Sequence, residues 1–131
     1  MVIDTSAVVA MLFDEPQSAA LTSALERTDD RLMSCATMLE TTIVLESRRA
    51  TGADRILDAF VKRLRIEAVA FDAEQYLAAC DAFRRYGKGR HVAGLNFGDC
   101  FAYALAAVRD DVLLFVGDDF RRTDVRAALI Q

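Results

Sequence analysis

Apolar and polar positions along this chain switch repeatedly between a period of two and a period near 3.6. Val2-Ile3 is a short β-branched pair that ends abruptly on Asp4, and residues 7–12 beyond it are apolar on almost every side. This reads as a strand running into a helix, with Thr5 and Ser6 supplying N-cap chemistry at the join. Asp14-Glu15-Pro16 breaks the pattern, and residues 17–27 resume as an amphipathic helix. Pro16 suits the first turn of that helix, where a missing N–H costs nothing. Residues 31–34 form a second short strand. Residues 36–50 form a strong helix ending on Arg48 and Arg49, as the helix dipole prefers, and stopped at Gly52. Ala36, Leu39, Ile43, Val44 and Ser47 mark its inward stripe. Residues 54–65 form another amphipathic helix, with Ile56, Leu57, Phe60, Val61 and Leu64 at helical spacing.

The second half repeats the alternation. Residues 66–70 read as a strand, and Asp72 caps the next helix with Gln75 as its capping-box partner. That helix runs to about Tyr86 and gives way to a glycine- and base-rich loop over 87–94. Residues 98–109 are apolar on every face past Asp99, which predicts a central, buried helix. Residues 112–116 form a buried strand, followed by Gly117-Asp118-Asp119-Phe120 and a tail able to add an edge strand. Strands alternating with helices predict an α/β fold, a parallel sheet of four or five strands with helices on both faces. With one proline and six glycines in 131 residues there is no room for a linker, so residues 1–131 are expected to be one domain.

Composition narrows the class. A chain 53% hydrophobic and 27% charged buries a core, which excludes a disordered protein. Apolar runs such as 102–108 fall far below the ~18 residues a membrane span needs. No basic flank or signal-like segment opens the sequence, and the expected location is the cytoplasm. Cys35, Cys80 and Cys100 sit among apolar residues without C-x-x-C spacing, and read as reduced thiols in or near the core. With His91 the sole histidine, zinc chemistry is not indicated. A net charge of −4 argues against bulk electrostatic coating of nucleic acid. Positive charge is instead gathered in one stretch, Arg84, Arg85, Lys88, Arg90 and His91.

Several acids stand where a structural account would not put them. Asp4 lies where a strand hands over to a helix, the edge at which open α/β sheets bind ligands. Glu40 falls on or beside the inward stripe of its helix, where a carboxylate is expensive unless a partner meets it. Asp99 opens the most apolar helix. Asp118 and Asp119 follow the late buried strand, again at the sheet's carboxyl edge. Each has a plain structural explanation as a cap, a shoulder residue or a turn. Together they converge. Carboxylates in one small pocket cannot all stay ionised without a counter-charge. A hard divalent cation supplies it through oxygen ligands. Such a site suits metal-assisted phosphodiester hydrolysis, in which the metal activates the attacking water. No nucleophilic triad, Walker loop or dinucleotide glycine motif competes.

At the level of whole motifs the sequence resembles a PIN domain, and within it the VapC-type toxins of bacterial toxin–antitoxin operons. The resemblance rests on Val2-Ile3-Asp4-Thr5-Ser6-Ala7, Met38-Leu39-Glu40, Tyr86-Gly87-Lys88-Gly89-Arg90-His91, the run from Leu95-Asn96-Phe97-Gly98-Asp99 through Tyr103, and Gly117-Asp118-Asp119-Phe120. It covers essentially the whole chain in the family's order. The resemblance implies a three-layer α/β/α PIN-like fold and an endoribonuclease dependent on Mg²⁺ or Mn²⁺. It implies that Asp4 and Asp99 hold the metal and that Glu40 is the third acid. The fourth acid lies in the Asp118–Asp119 doublet, with Asp118 assigned and Asp119 supporting. Ser6 matches a small polar position beside the metal. The resemblance further implies a homodimer, silencing by a cognate antitoxin, an RNA substrate of which tRNA is one candidate, and a 5′-phosphate product.

The basic loop completes this picture. Arg84, Arg85, Lys88 and Arg90 would offset the repulsion between RNA and an acidic pocket by contacting phosphates at its rim. One alternative class stays open, a non-catalytic PIN-fold module that binds an antitoxin or nucleic acid. A phosphatase of the haloacid-dehalogenase type is disfavoured, because its second aspartate would fall where Ser6 stands. A receiver domain would want an acidic pair near the first strand, where Asp4 stands alone.

Overall fold

A computed structural model describes residues 1–48 and 50–129. Its elements in chain order are β1 (Val2–Ile3), α1 (Thr5–Leu12), α2 (Ser18–Glu26), β2 (Leu32–Ser34), α3 (Cys35–Ser47), α4 (Ala53–Arg63), β3 (Glu67–Val69), α5 (Ala73–Tyr86), α6 (Phe97–Arg109) and β4 (Leu113–Leu114), with a 3₁₀ turn at Phe120–Arg122. The four strands form a parallel sheet in the order β3-β2-β1-β4. The tail adds a bridge, not a full strand: Leu113 pairs with Ala127, and the Ala128 N–H donates to the Leu113 carbonyl at 2.8 Å.

The period of two in each strand sorts side chains to opposite faces. Ile3, Met33 and Leu114 join one core with α1 to α4, while Val2, Leu32 and Leu113 join another with α5 and α6. Three layers, α/β/α, follow from that sorting. Strands β2 and β3 extend the sheet on one side of β1, and β4 lies on the other. The order therefore reverses between β1 and β4, the switch point at whose carboxyl ends open α/β sheets bind their ligands. Helix α6 is the buried central helix its sequence predicts, with residues 102–106 all buried.

Four local expectations are corrected. The inward stripe of α3 is Thr37, Thr41 and Leu45, whereas Leu39 and Ile43 are more than half exposed. Buried Thr41 is tolerable here because its hydroxyl donates to the Thr37 carbonyl at 2.8 Å, whereas the Thr37 hydroxyl is buried without a partner. Gly52, with φ of +73°, caps the start of α4, and the predicted Arg49 terminus of α3 lies outside the described residues. Asp72 caps α5 as expected, but the Gln75 side chain donates to the Ala70 carbonyl at 2.9 Å instead of completing a capping box. Cys100 is buried and Cys80 half-buried, while Cys35 is exposed, not near-core as its neighbours suggested. Among the described residues no helix is long and apolar enough to cross a membrane.

Candidate active site

Asp4 sits at the carboxyl end of β1, where the chain turns into α1. It is itself the N-cap of that helix, the role expected of Thr5 and Ser6: its Oδ2 accepts the Ser6 N–H at 2.9 Å and the Ser6 hydroxyl at 2.6 Å. Ser6 Oγ in turn accepts the Val116 N–H at 3.0 Å, which ties the end of β1 to the segment leaving β4. The other carboxylate oxygen, Oδ1, is buried and has no hydrogen-bond partner. Burial raises the Asp4 pKa above the usual carboxylate value against the lowering effect of the Ser6 bonds, and the Asp119 charge adds to the rise.

Asp99 stands in the first turn of α6. Asn96 is the cap here, a signal the motif reading passed over. Asn96 Oδ1 accepts the Asp99 N–H at 2.9 Å and Asp99 Oδ2 accepts the Asn96 N–H at 2.9 Å, a complete capping box. Burial pushes the Asp99 carboxyl up to about 7; the Asn96 bond opposes this, and the charges of Asp4, Asp119 and Glu40 raise it further. Glu40 reaches in from α3. It is half-buried, its Oε1 accepts from Thr5 Oγ1, and its pKa is raised by burial first and by the Asp4 charge second.

At the switch point of the sheet the charges of Asp4, Glu40 and Asp119 therefore act on Asp99, and that of Asp119 also on Asp4. Asp118, assigned from sequence as the fourth acid, and its neighbour Asp119 are both exposed, and the Asp119 charge acts on Asp4 and Asp99. Gly117, at φ of +103°, turns the chain just ahead of the doublet. The donor set is entirely oxygen, and Asp4 Oδ1 is buried with no hydrogen-bond partner. This fits a hard divalent cation. Among the described residues no three carboxylates, histidines or cysteines form a closed cage, so an ion here would be held by few protein oxygens.

The basic residues divide into two groups. Arg84 and Arg90 line a groove of about 770 Å³ walled by Phe71, Tyr76, Phe83, Phe97 and Phe101, and Arg90 stacks over the Phe83 ring at 5.3 Å. Lys88 is exposed on the loop. Arg85, counted with them from sequence, points elsewhere. It pairs with Asp81 at 3.2 Å and Asp124 at 2.9 Å, and donates to the Tyr86 hydroxyl at 2.8 Å. Its charge is committed to a cluster, completed by the Tyr103–Asp124 bond, that fastens the tail to α5 and α6.

Comparison with known proteins agrees with this architecture. A family model described as PIN domain matches residues 1–126. The chain is 55% identical over 127 residues to a ribonuclease VapC of Mycolicibacterium smegmatis, covering 97% of this chain and 98% of the relative. It is 51% identical over 125 residues to ribonuclease VapC30 of Mycobacterium tuberculosis, covering 95% of each. Among solved structures, VapC20 of Mycobacterium tuberculosis, a toxin that cleaves the sarcin–ricin loop, superposes with a TM-score of 0.74 at 13% identity over 95% of each chain. VapBC2 of Rickettsia felis, bound to promoter DNA, gives 0.73 at 14% identity over 96% of this chain and 94% of that one. The chain belongs to the PIN-domain family, and within it to the VapC ribonucleases.

Proposed function

We propose that this VapC-family endoribonuclease, the toxin of a toxin–antitoxin pair, hydrolyses RNA phosphodiesters at the acidic crevice with Mg²⁺ or Mn²⁺ as cofactor. The observation that carries the reading is the convergence of Asp4, Glu40, Asp99 and Asp119 on one pocket, with a buried Asp4 oxygen lacking any partner. Structural acids are rarely left in this state, whereas a cation-binding pocket requires it.

In this reading Asp4 and Asp99 hold the ion, each carboxylate fixed by a helix N-terminus through one oxygen. Glu40 and Asp119 complete the acid set, and Ser6 orients Asp4. When bound, the ion supplies charge stabilisation at the phosphate and activates the attacking water. Arg84, Lys88 and Arg90 contact flanking phosphates and offset the repulsion of the pocket. A cognate antitoxin is the natural partner, since family structures include such complexes; one from Klebsiella pneumoniae has a TM-score of 0.66. A homodimer is supported by the exposed apolar side chains Tyr76, Leu77 and Phe97 of α5 and α6, whose burial against a second copy is favourable.

The test is incubation of total RNA with the purified protein in Mg²⁺, in Mn²⁺ and in EDTA. Discrete 5′-phosphorylated fragments that need the ion support the reading. Ion binding without cleavage would instead favour a non-catalytic binding module.

A further inference from the structure

Gly98 is the second residue of α6, and no feature of its own backbone calls for glycine. It is buried, helical, and not among the glycines with positive φ. Glycine is among the poorest helix formers, so a side chain is being excluded there for another reason. A Cβ built on Gly98 would lie 1.3 Å from Glu40 Oε2, 2.3 Å from Glu40 Cδ and 3.0 Å from Glu40 Oε1. The three nearest atoms thus belong to one carboxyl group. On its other side the same carboxyl accepts from Thr5 Oγ1, which is buried and 2.9 Å from Thr41 Oγ1. Glu40 therefore occupies a slot between the first turns of α1 and α6, with Thr5 next to Asp4 and Gly98 next to Asp99.

We propose that Gly98 is a positioning residue whose missing Cβ creates the slot in which Thr5 grips the Glu40 carboxyl beside Asp4 and Asp99. The catalytic part of this proposal rests on the endoribonuclease reading; the slot itself does not. A methyl group at position 98 meets the mobile end of a side chain, not backbone, so Gly98→Ala should evict Glu40 while the fold survives.

The experiment is a thermal-unfolding cycle of wild type, Gly98→Ala, Glu40→Ala and the double variant, with cleavage kinetics on wild type and Gly98→Ala. In the Glu40→Ala background the slot is empty, and Gly98→Ala should raise Tm by roughly 2–6 °C through helix propensity alone. With Glu40 present that gain should vanish or reverse. Equal Tm shifts in the two backgrounds would overturn the slot. Gly98→Ala should also lower kcat roughly 10–100-fold with KM within about twofold, as expected when a reacting group is displaced. A coupled cycle with unchanged kcat would overturn the positioning role. If wild type cleaves nothing, the endoribonuclease reading fails, while the Tm cycle still decides the slot.

Discussion

Ser6 donates its hydroxyl proton to Asp4 Oδ2 at 2.6 Å while accepting the Val116 N–H at 3.0 Å, so one side chain fixes the first acid and binds it to the end of β4. Both links are lost in Ser6→Ala. Asp4 then loses a bond that favours its ionised form, and its pKa rises further. Divalent-ion affinity and cleavage should each fall roughly 10–100-fold, the usual cost of removing a group that orients a metal ligand. Calorimetric titration with Mn²⁺ checks this, and undiminished affinity would rule the orienting role out.

The Asp119 charge raises Asp99. With Asp99 at about 7, ion binding should strengthen as pH rises through that value. Asp119→Asn should move the midpoint of this rise to lower pH, and Asp118→Asn should leave it in place. Mn²⁺ titrations across pH 5 to 9 read both outcomes.

Stability without metal should fall as pH rises from about 4 to about 7. The sign follows from the raised pKa values of Asp4, Glu40 and Asp99, because over that window the folded chain holds protons that the unfolded chain has already released. Added Mg²⁺ should restore Tm most strongly above pH 7, where the carboxylates are ionised. Melting curves with and without Mg²⁺ test it, and Asp99→Asn should flatten the slope.

Much of this site was legible in the primary structure. The apolar pair of β1 breaking on Asp4, the acid opening the all-apolar α6, and the acids after β4 all follow from period and position. What escaped was energetics that local pattern does not encode. The buried stripe of α3 was misread because Thr37 and Thr41 score as polar, although Thr41 satisfies its hydroxyl on the carbonyl one turn back. Arg85 sits in a basic run, yet its strongest partner, Asp124, lies 39 residues away. Asp118 and Asp119 are not separated by the motif, because both follow the turn at Gly117 and both are exposed.

The two groups of basic residues should part in solution. Combined Arg84→Ala, Lys88→Ala and Arg90→Ala changes should weaken RNA binding and flatten its dependence on salt. Arg85→Ala should leave that slope unchanged and lower Tm instead, because it frees Asp124 and the Tyr103 contact. Binding isotherms from 50 to 300 mM salt, beside melting curves, separate the two roles (roughly one unit of slope per phosphate contact).

Asp4 and Asp99 are proposed to form the reacting centre of an RNA hydrolase. Cleavage of total RNA in Mg²⁺ by wild type, Asp4→Ala and Asp99→Ala, each shown to unfold cooperatively, tests it most directly. The account predicts discrete fragments from wild type and a loss of at least about 100-fold in both variants. Variants that cut as wild type does would contradict it and assign the cleavage to another protein in the preparation.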